Sequence, residues 1–130
     1  MITWQELRKV HPWLPETSEG WHQHSNGCGW VQYTARVYGS ARVSGSAVVY
    51  GSAVVSGSAV VSKTPVHISG LRYDILICDK FLAIGCQQHT REQWRRFSDK
   101  RIAFMHPDAA AFWKAHRDAL LAICKTHQAK

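Results

Sequence analysis

Residues 35–62 read ARVYGS-ARVSGS-AVVYGS-AVVSGS-AVVS, and this stretch decides the fold. Alanine recurs at 35, 41, 47, 53 and 59, valine at 37, 43, 49, 55 and 61, and glycine at 39, 45, 51 and 57. Side chains two apart point to the same side of a strand, so each Ala-x-Val presents its alanine and valine together. Valine fills a narrow interior, and alanine is small enough to stand near a corner. The Gly-Ser pair frees the backbone to turn every six residues. Three such faces close one triangular coil, so the spacing predicts a parallel β-helix. Counted in sixes from residue 29, GWVQYT precedes the regular hexads and AVVSKT and PVHISG end the run. The outer two hexads are degenerate, as capping repeats are. Seven hexads make a little over two coils over residues 29–70.

The flanks carry different signals. Thr3 and Glu6 form a capping-box pair that opens a short helix, with Leu7 and Val10 on one face and His11-Pro12 ending it. Trp13-Leu14-Pro15 reads as extended and packed down, and residues 16–29 as a polar, glycine-bearing loop. Beyond the repeats, residues 72–78 and 81–86 are strand-like around an Asp79-Lys80 turn. Thr90 and Gln93 make a second capping box, leading a helix that carries Trp94 and Phe97. A further helical turn is expected over 98–105. A last helix starts at Pro107, with positions 109, 112, 113, 116, 120, 123 and 124 on its apolar stripe. The expected organisation is an N-terminal helix and loop over 1–28, the β-helix over 29–70, and an α+β module over 71–130 packed on it.

An aliphatic residue followed four positions later by a small one, as in Val37/Ala41, Val43/Ala47, Val49/Ala53 and Val55/Ala59, resembles the hexapeptide-repeat, left-handed β-helix superfamily. The resemblance implies a left-handed coil and a dimer or trimer. Glycine here lies two residues after the valine, where the superfamily's enzymes favour a small or acidic residue one after it. The repeats together with Ile84-Gly85-Cys86 and Thr90-x-x-x-Trp94 also resemble small phage and prophage hexapeptide-repeat proteins. The fold class expected is therefore mainly β, a short left-handed parallel β-helix followed by a β-hairpin and C-terminal helices.

The charge of +7 is unevenly spread. Residues 35–70 hold Arg36, Arg42 and Lys63 with no acid, and residues 71–130 hold eleven basic and six acidic side chains. Such a balance favours anionic partners. The start, Met1-Ile2-Thr3-Trp4, lacks the basic and apolar regions of a secretion signal, and no apolar run reaches the roughly 20 residues that span a bilayer. We expect a cytoplasmic protein without a membrane partner, in the host cytoplasm if phage-encoded. Its four cysteines, irregularly spaced at 28, 78, 86 and 124, read as thiols of a reducing compartment.

Candidate sites follow from residue type. In the β-helix register Arg36 and Arg42 point outward between alanine and valine, as do Tyr38 and Tyr50. Arginine offers paired donors to phosphate or carboxylate, and tyrosine a stacking face. Arg91, Arg95 and Arg96 around Trp94 form a second basic group, to be weighed against a solvated helix face. Val48, Val54 and Val60 fill the outward position in later hexads and are more apolar than a solvated surface needs, which marks them as a subunit interface unless the C-terminal segment covers them.

His22-x-His24-x3-Cys28 and Cys86-x2-His89 place metal-ligating types close together, but neither has a standard four-ligand spacing, and no metal or cofactor is expected. Left-handed β-helix acyltransferases use a histidine base, and His67 is the one histidine in the repeats. Catalysis is not the leading expectation. That expectation is a non-enzymatic oligomer of phage type that antagonises a host defence system. It would do so by blocking an acidic host protein or nucleoprotein complex, or by sequestering a nucleotide signal. A minimal acyltransferase and a structural virion component are the alternatives.

Overall fold

The structure, a computed structural model, describes residues 1–129. It is a mixed α/β fold with several small sheets and C-terminal helices. The chain divides into two units, one ending at Pro65 and the next beginning at Val66.

In the first unit, helix α1 (Trp4–Val10) starts at the expected capping box. Glu6 N–H donates to Thr3 Oγ1 at 3.1 Å, and Thr3 N–H donates to Glu6 Oε1 at 3.0 Å. The buried face differs from the sequence expectation. Leu7 is buried, but its partner is Trp4, three residues before it, while Val10 is 53% exposed. Likewise Leu14 packs inward and Trp13 stands outward. Trp4, Leu7, Leu14 and Trp21 form one core around Val48.

The segment expected as a polar loop holds strand β1 (Trp21–Gln23), antiparallel to β2 (Trp30–Gln32). Five two-residue strands follow: β3 (Arg36–Val37), β4 (Arg42–Val43), β5 (Val48–Val49), β6 (Val54–Val55) and β7 (Val60–Val61). Each early strand pairs in parallel with one a fixed distance on. Trp30 lies beside Val48, Arg36 beside Val54 and Arg42 beside Val60, eighteen residues apart every time. The pairs belong to three separate small sheets. Ala41, Ala47, Ala53 and Ala59 are buried with Val43, Val49, Val55 and Val61, as alternation requires. The corners are tight turns in which Ala53 N–H reaches back to Tyr50 O and Ala59 N–H to Ser56 O. Glycine recurs there because the chain needs positive φ. At Gly39 (φ +74°) a Cβ would also meet the Gly57 backbone nitrogen at 3.0 Å.

The seventh hexad leaves the repeat. Strand β8 (Val66–Ile68) pairs antiparallel with β9 (Ile75–Ile77) in the second unit. Pro65 offers no N–H, and PVHISG lacks the Ala-x-Val pair that would fill an interior, so this strand finds its partner downstream. The sheet continues through β10 (Phe81–Ile84) to β11 (Gln87–Thr90) in the order β11-β10-β9-β8. Gly85 (φ +57°) and Cys86 form the two-residue turn between β10 and β11, with glycine at the position where positive φ is required.

Helix α2 (Arg91–Arg96) begins at the Thr90–Gln93 capping box. Helix α3 (Asp99–Met105) is capped by Ser98 Oγ, which accepts from Arg101 N–H at 3.1 Å. Helix α4 (Ala109–Gln128) starts two residues later than Pro107, with Asp108 as its N-cap. Its buried residues are Phe112, Trp113, Leu120, Leu121 and Cys124. Ile123, placed on the apolar stripe by spacing, is 38% exposed, and Leu121 takes the buried place. These side chains share one core with Ile75, Ile77, Leu82, Trp94 and Ile102. Trp94 anchors it by donating from Nε1 to Leu82 O at 2.7 Å.

Candidate functional site

The outward repeat positions divide into two kinds. Arg36 and Arg42 are exposed, beside Val54 and Val60 respectively, but on different sheets. Arg42 donates to Asn26 Oδ1 at 3.3 Å. Tyr38 is exposed, and Tyr50 stands against Trp13 with ring centroids 5.0 Å apart. Val54 is 39% exposed and Val60 half-buried. Val48 is 0% exposed because the N-terminal core covers it, so it is removed from the expected subunit interface. The cover comes from the chain's own first helix and Trp21, where a C-terminal segment or a partner was expected.

The His22–Cys28 segment runs beside β4. Gly29 N–H donates to Val43 O at 2.7 Å and Val43 N–H to Asn26 O at 3.1 Å, and Cys28 bridges to Ser44. The segment therefore covers the free edge of β4. Gly27 (φ +101°) lies so close that a Cβ would stand 2.4 Å from Val43 O. His24 Nε2 is 3.0 Å from Ala41 O, and His22 stacks on Tyr33 at 4.4 Å. Among the described residues no three His, Cys, Asp or Glu side chains converge as a metal site.

In the second unit Arg95 and Arg96 both bond Glu92, at 2.7 and 3.0 Å, and the Arg95 hydrogen bond is the largest cause of the lowered Glu92 pKa. Arg91 Nε reaches Leu121 O at 3.4 Å. His67 lies on β8, outside the parallel repeat pairs, with Nε2 2.8 Å from Asp74 Oδ2. His89 lies on β11. Its Nε2 is 2.9 Å from Gln87 Oε1 and its ring stands edge-on to Trp94 and Phe97. Burial, and secondarily the charge of Arg101, lowers its pKa. Burial pushes the Cys78 thiol up to about 12 and raises Cys124 as well, which leaves both thiols protonated and unreactive.

An apolar pocket in the second unit was not legible in the sequence. A cavity of about 160 Å3 lies between the β10–β11 turn and helices α3 and α4. Ile84, Trp94, Ile102, Phe112 and Trp113 make its apolar wall. Trp94 and Trp113 rings lie 5.1 Å apart, and Tyr73 stands edge-on to Phe112 at 5.0 Å. Tyr73, Cys86, Gln87 and His106 add polar side chains to its lining, and the buried Nε1 of Trp113, another lining residue, has no hydrogen-bond partner. Tyr73 Oη donates to His106 Nδ1, which also accepts from Asp108 N–H at 3.3 Å; both acceptances place the ring proton on Nε2. Arg72 pairs with Asp108 at 2.9 Å and so ties the chain before β9 to the start of α4. The available signals for this cavity were the aromatic density of α4 and the glycine turn beside a cysteine, and neither specifies a void.

Compared with protein-family models, with curated proteins and with solved structures, the chain matches none. No helix among the described residues is long and apolar enough to cross a membrane.

Proposed function

We propose that this chain is a non-enzymatic binding protein of the kind that the small phage hexapeptide-repeat proteins represent. It acts in the host cytoplasm by docking on an acidic protein of a host defence system. Its hexad segment is read as a short left-handed β-helix of about two coils that assembles into a dimer or trimer. The eighteen-residue offset of three parallel pairs supports that coil, and the half-exposed Val54 and Val60 support an interface beside the arginines.

The observation that carries the binding reading is the placement of Arg36 and Arg42. They stand exposed in a segment without acids, and on separate sheets. A nucleotide needs donors converging in a concave site, whereas a protein surface can take charges spread over a face. The spread favours the protein partner over a sequestered nucleotide. Native mass spectrometry of the purified chain, followed by capture from host lysate with wild type and with Arg36→Glu/Arg42→Glu, tests it. We expect an oligomer without a retained nucleotide that captures an acidic protein, and a double variant that loses most of that capture while keeping its subunit number. A retained mass of nucleotide size, or equal capture by the double variant, overturns the reading.

A further inference from the structure

We propose that the cavity of the second unit is a binding site for a small molecule with one aromatic ring system, of benzene-to-indole size, bearing a polar substituent. This goes beyond the docking reading and involves none of its residues.

Size is the first argument. Engineered protein cavities of about 150 Å3 with apolar walls remain dry and take up benzene. The pocket here is of similar size, about 160 Å3, and is walled by Ile84, Ile102 and aromatic side chains, but it is partly open, with Cys86 and His106 exposed at its edge. An apolar pocket with a few polar side chains at its edge has the make-up of a small-molecule site.

The wall chemistry selects the occupant. Tyr73, Trp94, Phe112 and Trp113 contribute ring faces and edges, which favour edge-to-face and offset packing against another ring. Tyr73 and Phe112 already make such a contact at an interplanar angle of 84°. The polar substituent belongs where the polar groups are. Cys86 is exposed on its turn, Gln87 is next to it, and His106 is held by Tyr73 with its proton on Nε2. A ring with no polar group would gain nothing from these side chains, and a charged ring would face an apolar wall. A neutral hydroxyl, amide or ring N–H meets both demands.

The position of Cys86 supplies a reporter. Its thiol stands at the polar side of the cavity, while Cys78 and Cys124 are buried. An occupant that fills the cavity shields the thiol of the β10–β11 turn.

The test uses the full chain and indole as probe, with hexanol as an apolar comparison. Indole is titrated while amide shifts are followed by NMR, and the rate of iodoacetamide alkylation at Cys86 is read by peptide mass spectrometry. Expected are shifts confined to β10, β11, α3 and the first turns of α4, a slowing of Cys86 alkylation of about fivefold or more at saturation, and weaker effects from hexanol. Ala109→Leu places a larger side chain at the cavity wall and should weaken indole binding about tenfold. Should that variant fail to fold, the protection of Cys86 in the unaltered chain decides alone. No shifts and no protection at millimolar indole, or hexanol matching indole, overturns the proposal.

Discussion

The two units solve the problem of a small core in opposite ways. The first uses one solution repeatedly: alanine and valine inside, glycine at the corner, and a parallel neighbour eighteen residues on. The interior side chains of its repeats are small and almost interchangeable. The second uses large and unlike side chains once each, around Trp94, Trp113, Phe112 and a four-stranded antiparallel sheet. Position in a period sets what a residue does in the first unit. In the second it is set by particular neighbours. Substitution should therefore follow register in one half and individual packing in the other.

The largest effect is expected in the second unit. Trp94→Ala removes a buried indole and its hydrogen bond to Leu82 O, and should cost about 3–5 kcal/mol in chemical denaturation. Hydrogen exchange read on the same variant sharpens the contrast: protection should fall in β10 and β11 and persist in β4–β7. Loss of protection in both halves would mean that they unfold as one body.

A smaller and graded effect tests the first unit. Gly39 and Gly51 occupy equivalent corners with φ of +74° and +65°, but only at Gly39 would a Cβ meet backbone within 4 Å. Alanine at either position carries the roughly 1–2 kcal/mol cost of a left-handed conformation. Gly39→Ala should cost measurably more than Gly51→Ala, by urea midpoints. Equal losses would show that register alone, and not the approach of Gly57, sets the cost.

The smallest effect is a titration. His89 has its pKa lowered from the ordinary 6.5, first by burial and then by Arg101. As pH falls through that ordinary value the unfolded chain takes up the proton before the folded one, so stability is present above it and is lost as pH drops. His89→Phe keeps the edge-on contacts with Trp94 and Phe97, and should flatten this part of the urea midpoint's dependence between about pH 8 and about pH 5. An unchanged slope would mean that another group is responsible.

How much could be read from the sequence follows the same division. Period six located the buried alanines and valines of the hexads and their corners, because every element repeats the same demand. Both capping boxes were legible, since the residues that satisfy each other lie three apart. Non-local demands were not. Val48 looks like Val54 in the repeat, and only the arrival of Trp4, Leu7 and Trp21 from elsewhere in the chain buries it. PVHISG counts as a hexad until its antiparallel partner at 75–77 is known. Strand β11 is Gln-Gln-His-Thr, with no apolar alternation to announce it. The His22–Cys28 cluster suggested ligand chemistry because histidine and cysteine draw attention; its glycines, which let it approach Val43, carry its role. The cavity is a property of what surrounds empty space, and no residue pattern encodes it.

The eighteen-residue pairing has a consequence for heredity. A single inserted or deleted residue between Ala35 and Val61 would turn every later valine from inside to outside. Loss or gain of one hexad would carry each later strand onto the wrong neighbour. Three hexads together restore both alternation and neighbours. Since the hexads are nearly identical, copying errors that misalign them would produce such steps readily. Variants of this gene should therefore differ in this segment by whole eighteen-residue blocks, while the second half, with no repeated unit to misalign, keeps its length.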